Sequence, residues 1–221
     1  MIPEITHAIF DNDGLLLNTE PFYTEAHGEV VARYGKTFDW SIKSKIIGLR
    51  AEDSARICIN AMDIPLTVSE YLEARKAKLE ELFPKSEPLP GAVRLTRWFA
   101  EHGIPQAVAT SAERYHFDLK ASRHLDWYAL FNCIVTGDDP EVGRGKPAPD
   151  IFLLAARKMN ADPEHCLVFE DSPAGIAAAR AAGMYAVAVP DPHMDHGVYG
   201  DAHEILRSLE DFDPSRWGFK Y

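Results

Sequence analysis

The apolar run His7-Ala8-Ile9-Phe10 ends on Asp11-Asn12-Asp13-Gly14, two carboxylates one residue apart with no cation beside them in the chain. Like charges that close raise each other's pKa. The pair therefore belongs either to a solvated loop or to a site where a metal ion and phosphate chemistry need both. Three more apolar runs end in related groups: Thr110-Ser111 after "QAVA", Lys146 a loop beyond "CIVT", and Glu170-Asp171 after "CLVF". Asp11, Asp13 and Asp171 are hard oxygen donors of the kind Mg2+ takes. Lys146 and such an ion would offset the clustered carboxylates and the charge of a bound phosphate. Phosphoryl transfer asks a protein mainly for positioning and charge neutralisation, which these groups can supply.

For those residues to meet, the runs must be strands of one sheet. Ala8–Phe10, Gln106–Thr110, Cys133–Thr136, Cys166–Phe169 and Tyr185–Val189 are short, apolar on both faces and separated by helical patterns. That predicts a parallel sheet with helices on both faces. Such open α/β sheets bind ligands beyond the carboxyl ends of their strands, near the point where strand order reverses. The helix punctuation agrees. Ser172-Pro173 supplies an N-cap and a first-turn proline, Gly183 ends that helix, Pro149 opens "DIFLLAARKMN", and Gly103 stops "AVRLTRWFAEH".

About ninety residues separate the first two strands, where a crossover needs only about a dozen. Residues 21–83 carry no strand signal. Phe22 to Tyr34 and Ser54 to Met62 are amphipathic, and Thr67-Val-Ser-Glu70 is a capping box opening a charged helix to about Phe83. The proline-rich "PKSEPLPG" ending in Gly91 reads as the return hinge. The expected organisation is an α/β, Rossmann-like core over residues 1–17 and 88–221, with an inserted α-helical cap over 18–87.

Composition narrows the partners. The chain of 221 residues has a formal net charge of −11, which argues against nucleic acid or an anionic membrane as its main partner, since both reward a basic footprint. No apolar run approaches the roughly 18 residues of a membrane span, and no signal region is evident at the N-terminus. Cys58, Cys133 and Cys166 are scattered and odd in number, which reads as buried thiols in a reducing cytoplasm. A monomer acting on a small phosphorylated metabolite is the expectation.

"FDNDG", "ATS", "GKPAPD" and "FEDSPAG", in this order and spacing, resemble the four motifs of the haloacid dehalogenase superfamily, with the insert placed like that family's C1-type cap. Within it the chain looks most like the group of β-phosphoglucomutase, sugar-phosphate phosphatases and pseudouridine-5′-phosphatase. "HGIPQAVATS" and "GDDPEVGRGKPAPDIF" look closest to the last of these. The resemblance implies that Asp11 is a nucleophile forming an aspartyl-phosphate, and that Asp13 is the acid and then the base. The Asp13 carboxyl is accordingly expected above its ordinary pKa. Thr110 or Ser111, with Ser111 favoured, would hold phosphoryl oxygens, and Lys146 would bridge nucleophile and phosphate. Mg2+ would take Asp11, the Asp13 carbonyl and Asp171, with Glu170 acting directly or through water. Asn12 stands at the variable position between the aspartates, and Asn18 stands where many relatives carry aspartate at the cap hinge.

Each feature has a plainer reading. Asp-x-Asp-Gly alone is often a turn, and Thr110-Ser111 alone would be the N-cap of the next helix. "GRGK" hints at a P-loop, but Pro140 and Pro147 occupy positions where that loop needs Gly and Ser or Thr. In "IIGLRAED", similar to the family's specificity loop, Arg50 is either a substrate contact or a solvated arginine. Glu20, Tyr23 and His27 share a helix face and are core, surface or substrate contacts; of these Glu20 is the candidate substrate ligand. His193, His196 and His203 read as a solvated loop. Two enzymatic alternatives to a phosphatase are a phosphomutase and a haloacid dehalogenase. Related mutases carry a cap-helix histidine where this chain has Tyr23, and related dehalogenases lack the second aspartate. A phospho-accepting regulatory module is the non-enzymatic alternative.

Overall fold

The computed structural model describes residues 4–219. Its sheet has six parallel strands: β1 His7–Phe10, β2 Gln106–Thr110, β3 Cys133–Thr136, β4 Cys166–Glu170, β5 Tyr185–Ala188 and β6 Glu204–Ile205. They lie in the order β3-β2-β1-β4-β5-β6. The expected five are present within a residue of the sequence reading at each end. β6 was not foreseen: it is two half-exposed residues pairing at one edge, too short for an alternating pattern.

Nine helices surround the sheet among the described residues: α1 Glu20–Ala32, α2 Trp40–Lys43, α3 Ala51–Met62, α4 Val68–Leu82, α5 Ala92–Glu101, α6 Arg114–Ala121, α7 Leu125–Tyr128, α8 Asp150–Lys158 and α9 Pro173–Ala181. Successive strand residues point to opposite faces, and the two faces differ in size. One carries Phe10, Val108 and Phe169 and packs on Phe99 of α5 and Phe212, with the Phe10 and Phe169 rings stacked at 4.7 Å. The other carries Ile9, Ala107, Ala109, Val168 and Ala186. Its small side chains let α8 and the alanine-rich α9 lie close to the strands. Truncating Phe10 or Phe169 to Ala would open a cavity costing about 3–5 kcal/mol.

Helices α1 to α4 fill the interval between β1 and β2 and have their own apolar cluster, including Val30, Val31, Ile42, Ala55 and Tyr71. The capping box forms at α4: Thr67 Oγ1 accepts from the Glu70 N–H at 3.2 Å, and Glu70 accepts from the Thr67 N–H at 2.8 Å. The outgoing and returning connections run side by side. The Asn18 N–H donates to the Glu87 carbonyl and the Leu89 N–H to the Leu16 carbonyl, both at 2.9 Å. Leu17 and Pro88 are bridged antiparallel. The helical insert is therefore tied to the sheet through two paired strands of chain rather than one loose loop.

Candidate active site

The strand order reverses beside β1, and the β1–β4 register brings Phe10 opposite Phe169. Asp11 and Glu170 consequently leave the sheet as neighbours, with the Asp11 N–H donating to the Phe169 carbonyl at 3.0 Å. Between them sits the buried Lys146. Its Nζ donates to Asp11 Oδ1 at 2.5 Å, Glu170 Oε1 at 2.6 Å and the Ala109 carbonyl at 3.1 Å. Glu170 Oε2 accepts from the N–H and the hydroxyl of Ser172, both at 2.8 Å. Both oxygens of Glu170 thus have protein partners, and its place is set by Lys146 and the first turn of α9. Gly175 faces this carboxylate so closely that a Cβ would overlap it.

Asp171 completes an acidic triad: one oxygen each from Asp11, Glu170 and Asp171 lies within 4.8 Å of the others. Its Oδ1 is buried with no hydrogen-bond partner. Gly14, at φ +79°, lets the turn after Asp13 pass over Asp171, where a side chain would collide with Oδ2. Burial pushes the Asp11 carboxyl up and Lys146 opposes it; with Glu170 and Asp13 adding to the rise, it reaches about 7. Burial and then the charges of Glu170 and Asp11 raise Asp171 well above the carboxylate range. Two carboxyls held far from their ordinary ionisation, one with an orphaned oxygen, fit a site built around a divalent cation.

Asp13 has a different environment from the one expected. Burial, the largest single influence, would raise its carboxyl, but the charge of Lys120 and hydrogen bonds from Lys120, Thr19 and Thr110 together outweigh it, and the net shift is downward. Lys120 Nζ lies 2.6 Å from Asp13 Oδ1, Thr19 donates to the same oxygen at 2.7 Å, and Thr110 donates to Oδ2 at 3.2 Å. The expectation of a raised Asp13 is corrected for this geometry: the neighbouring Asp11 matters less than a buried lysine the sequence reading passed over. Lys120 also donates to Tyr23 Oη at 2.8 Å and lies over the Phe83 ring. Burial and then the Asp13 charge, against the opposing effect of Lys120, leave the Tyr23 hydroxyl pushed up to about 12. Thr110 is therefore turned toward Asp13, and its Oγ1 also accepts from the Ala112 N–H at 3.1 Å. Neither it nor Ser111 caps α6, whose N-cap is Glu113. Asn12 faces the core and accepts from Tyr128 Oη at 2.5 Å.

Above these groups lies a cavity, partly open to solvent, walled by Asp11, Asp13, Thr110 and Ser111 on the sheet side. Its other wall is the helical insert. The Ser111 hydroxyl donates to the Gly48 carbonyl at 2.8 Å, joining the two. Glu20 lines the cavity and pairs with Lys43 at 3.2 Å. Tyr23 and His27 of the same helix line it too. Arg50 does not: it lies against Gly145 and donates to the Val142 carbonyl at 3.3 Å, strapping the insert to the loop that carries Lys146. Among the described residues the histidines of the 193–203 segment form no metal cluster; His193 instead stacks on Trp40 at 5.2 Å. No helix among the described residues is long and apolar enough to cross a membrane.

A carboxylate at the end of β1, a lysine between it and an acidic strand end, and a helical insert over both define a class. The chain belongs to the haloacid dehalogenase-like hydrolases, whose family model matches residues 5–183, and it is a phosphatase of that family. It is 47% identical over 219 residues to (DL)-glycerol-3-phosphatase 1, mitochondrial, of Arabidopsis thaliana, covering 97% of this chain and 74% of that protein. It is 41% identical over 221 residues to the "Probable pseudouridine-5'-phosphatase" of Drosophila melanogaster, covering 99% of this chain and 96% of that protein. Its fold matches that of CbbY from Rhodobacter sphaeroides in complex with phosphate, with a TM-score of 0.79 at 24% identity, covering 94% of this chain and 96% of that one.

Proposed function

We propose that the chain is a Mg2+-dependent phosphomonoester hydrolase acting on a small phosphorylated metabolite through an aspartyl-phosphate on Asp11. The observation that carries this is Lys146 held between Asp11 and Glu170 at 2.5 and 2.6 Å, beside the orphaned Asp171 oxygen. Asp11, Asp171 and the Asp13 carbonyl would hold the ion, with Glu170 orienting Lys146. When bound, Mg2+ supplies positive charge that offsets the acidic triad and the phosphate. The core at 1–17 and 88–221 carries the chemistry, and the 18–87 insert acts as a cap that excludes water from it.

An Asp11 oxygen attacks phosphorus, and the P–O bond to the alcohol breaks as Asp13 gives its proton to the leaving oxygen. Asp13 then takes a proton from water, the water oxygen attacks phosphorus, and inorganic phosphate and free Asp11 result. In the geometry described, Lys120 favours the ionised, basic form of Asp13. An arriving phosphate dianion acts the other way, as a like charge, and favours the acid form. Lys146 steadies the developing charge on the transferring group. Ser111 reaches the phosphoryl oxygens after releasing the Gly48 carbonyl.

Hydrolysis is favoured over mutase chemistry because the Tyr23 hydroxyl, raised to about 12 and engaged with Lys120, is no proton shuttle at neutral pH. Glycerol 3-phosphate and pseudouridine 5′-phosphate are the substrates first suggested by the relatives. Three unpaired thiols suit a reducing compartment, which supports a cytoplasmic enzyme, here proposed to act as a monomer. The test is phosphate release from p-nitrophenyl phosphate, whose leaving group needs no acid, with Mg2+ and with chelator. Asp13→Asn should accumulate a phosphoryl adduct by intact-mass spectrometry, and Asp11→Asn should show none. Release that survives Asp11→Asn or chelation would sink the proposal.

A further inference from the structure

Arg75 of α4 is 4% exposed and lines the cavity. Among the described residues no carboxylate lies within ion-pair distance of it, and its one hydrogen bond is to His27 Nε2 at 3.0 Å. Arginine has only donors, so Nε2 is the acceptor and the His27 proton sits on Nδ1, which donates to Tyr71 Oη at 2.7 Å. The Tyr71 hydroxyl is left for the Cys58 thiol. This relay orients the guanidinium but does not neutralise it, and most of its five N–H groups have no protein partner. Buried N–H donors left without acceptors are costly unless oxygen atoms of a ligand complete them.

A second orphan stands in the same cavity. His116 of α6 lines it, and His116 Nε2 is buried without a hydrogen-bond partner. Burial, then the charges of Lys120 and Arg75, hold this imidazole down to about 4, so it is neutral and can give or take a hydrogen bond. The wall also carries the Glu113 carboxylate and the Glu20–Lys43 pair, whose charges offset each other. A distal anion on the substrate would meet the Glu113 carboxylate, whereas a hydroxyl can accept from Arg75 and donate to an acid or to His116. Aromatic rings that would stack a nucleobase are engaged: Phe38 stacks on His27 at 4.9 Å, and Tyr23 packs against Phe83 and Lys120.

We propose that Arg75 and His116 are the specificity residues of the site, reading the hydroxyl groups of an uncharged, short polyol as the leaving alcohol. This rests on the phosphatase reading and adds to it the class of alcohol and the residues that select it. A site built to hydrogen-bond a substrate hydroxyl discriminates strongly against the analogue lacking it, because its buried groups are then left unpaired.

The experiment compares kcat/KM for glycerol 3-phosphate and for n-propyl phosphate, the same carbon chain without hydroxyls, in the wild type, Arg75→Met, Arg75→Lys and His116→Phe. The wild type should prefer the glycerol ester by about 100-fold or more. Arg75→Met should shrink that preference by about 10- to 100-fold, the worth of a hydrogen bond to a charged donor, mainly through KM, and Arg75→Lys should recover part of it. His116→Phe should shrink it less. Equal kcat/KM for the two esters in the wild type, or variants that lose both activities in equal proportion, would overturn the assignment. Wild-type protein that releases no phosphate even from p-nitrophenyl phosphate fails the phosphatase reading itself, and the assignment with it. Should Arg75→Met not fold, inhibition of wild-type p-nitrophenyl phosphate hydrolysis decides: glycerol should inhibit at much lower concentration than 1-propanol, and equal potency overturns the proposal.

Discussion

Replacing Lys120 with methionine removes the fully buried member of an ion pair while keeping most of its volume. Lys120 is 0% exposed and lies 2.6 Å from the largely buried Asp13 carboxylate, so Lys120→Met takes away its counter-charge and leaves it the hydroxyls of Thr19 and Thr110. Breaking a buried pair from one side costs about 3–5 kcal/mol. At about 2–4 °C per kcal/mol for a chain of this size, the melting temperature should fall by roughly 6–20 °C. The loss should depend on pH, and its sign follows from Asp13. In the wild type its carboxyl is depressed, so the pair's contribution is present above the unfolded value of about 3.9 and is lost only as pH falls through the folded value. In the variant burial, the largest influence on Asp13, is opposed only by the Thr19 and Thr110 hydrogen bonds, and the carboxyl rises. That stability is present below about 3.9 and is lost as pH rises through the new folded value. The gap between the two proteins should therefore be widest at pH 8 and narrow toward pH 5. Lys120 also depresses His116, and its removal adds to the same trend; repeating the comparison in a His116→Phe background separates the two. Calorimetry of metal-free protein across that range is the assay. A drop below about 2 °C, or one that is the same at pH 5 and pH 8, would refute the reasoning that Lys120 and Asp13 are a strongly coupled buried pair.

Mg2+ at about one hundred times its dissociation constant should stabilise the protein by about 2.7 kcal/mol, a rise of roughly 5–10 °C. Asp171→Asn should abolish most of it; a rise that survives that change would put the ion elsewhere. Gly175→Ala should cost about 1–3 kcal/mol and lower kcat, since its Cβ displaces Glu170 and through it Lys146. Gly28→Ala in α1, where nothing lies within 4 Å of the added carbon, should instead stabilise by about 0.5–1 kcal/mol; denaturant midpoints would show whether the two signs differ. His27 and His116 both titrate below the ordinary histidine value in the folded protein, each chiefly through burial. At these two sites the unfolded chain binds protons first as pH falls, so their contribution to stability declines below about pH 6.5, by at most about 1.4 kcal/mol per pH unit for each proton, while the raised Asp11 and Asp171 carboxyls act in the opposite sense. Urea denaturation of the wild type and of His116→Phe isolates one of them: the wild type should lose ground to the variant between pH 7 and pH 5, and a difference that is the same at both would contradict a neutral His116.

The sheet and the polar clusters at the carboxyl ends of its strands were legible because each depends on local pattern. Apolar runs such as Cys166–Glu170 are buried along their whole length, and the acidic and basic residues that follow them meet because parallel strands share one carboxyl edge. β6 was not legible because two residues carry no period. The hidden part of the site consists of two cations, and both are hidden in the same way. Phe117, Lys120 and Ala121 form the buried face of α6, and Tyr71, Arg75, Leu79 and Leu82 form that of α4. Lys120 and Arg75 thus stand at positions where helical spacing calls for an apolar side chain. Lysine and arginine are read by default as solvated or snorkelling, so they were passed over in a search for motifs. A charged residue in the middle of an apolar stripe cannot reach water without unpacking its helix, and so needs a partner from elsewhere in the fold. For Lys120 that partner is Asp13, which comes from the end of β1 and which no local pattern could reveal. For Arg75 the described residues supply only a neutral imidazole, and the remaining capacity faces the cavity. The apolar stripe broken by a cation is therefore the sequence signal that separates these two from the many surface lysines and arginines of an acidic protein. It predicts partners by exclusion: a carboxylate inside the fold for one, and oxygen atoms of the substrate for the other.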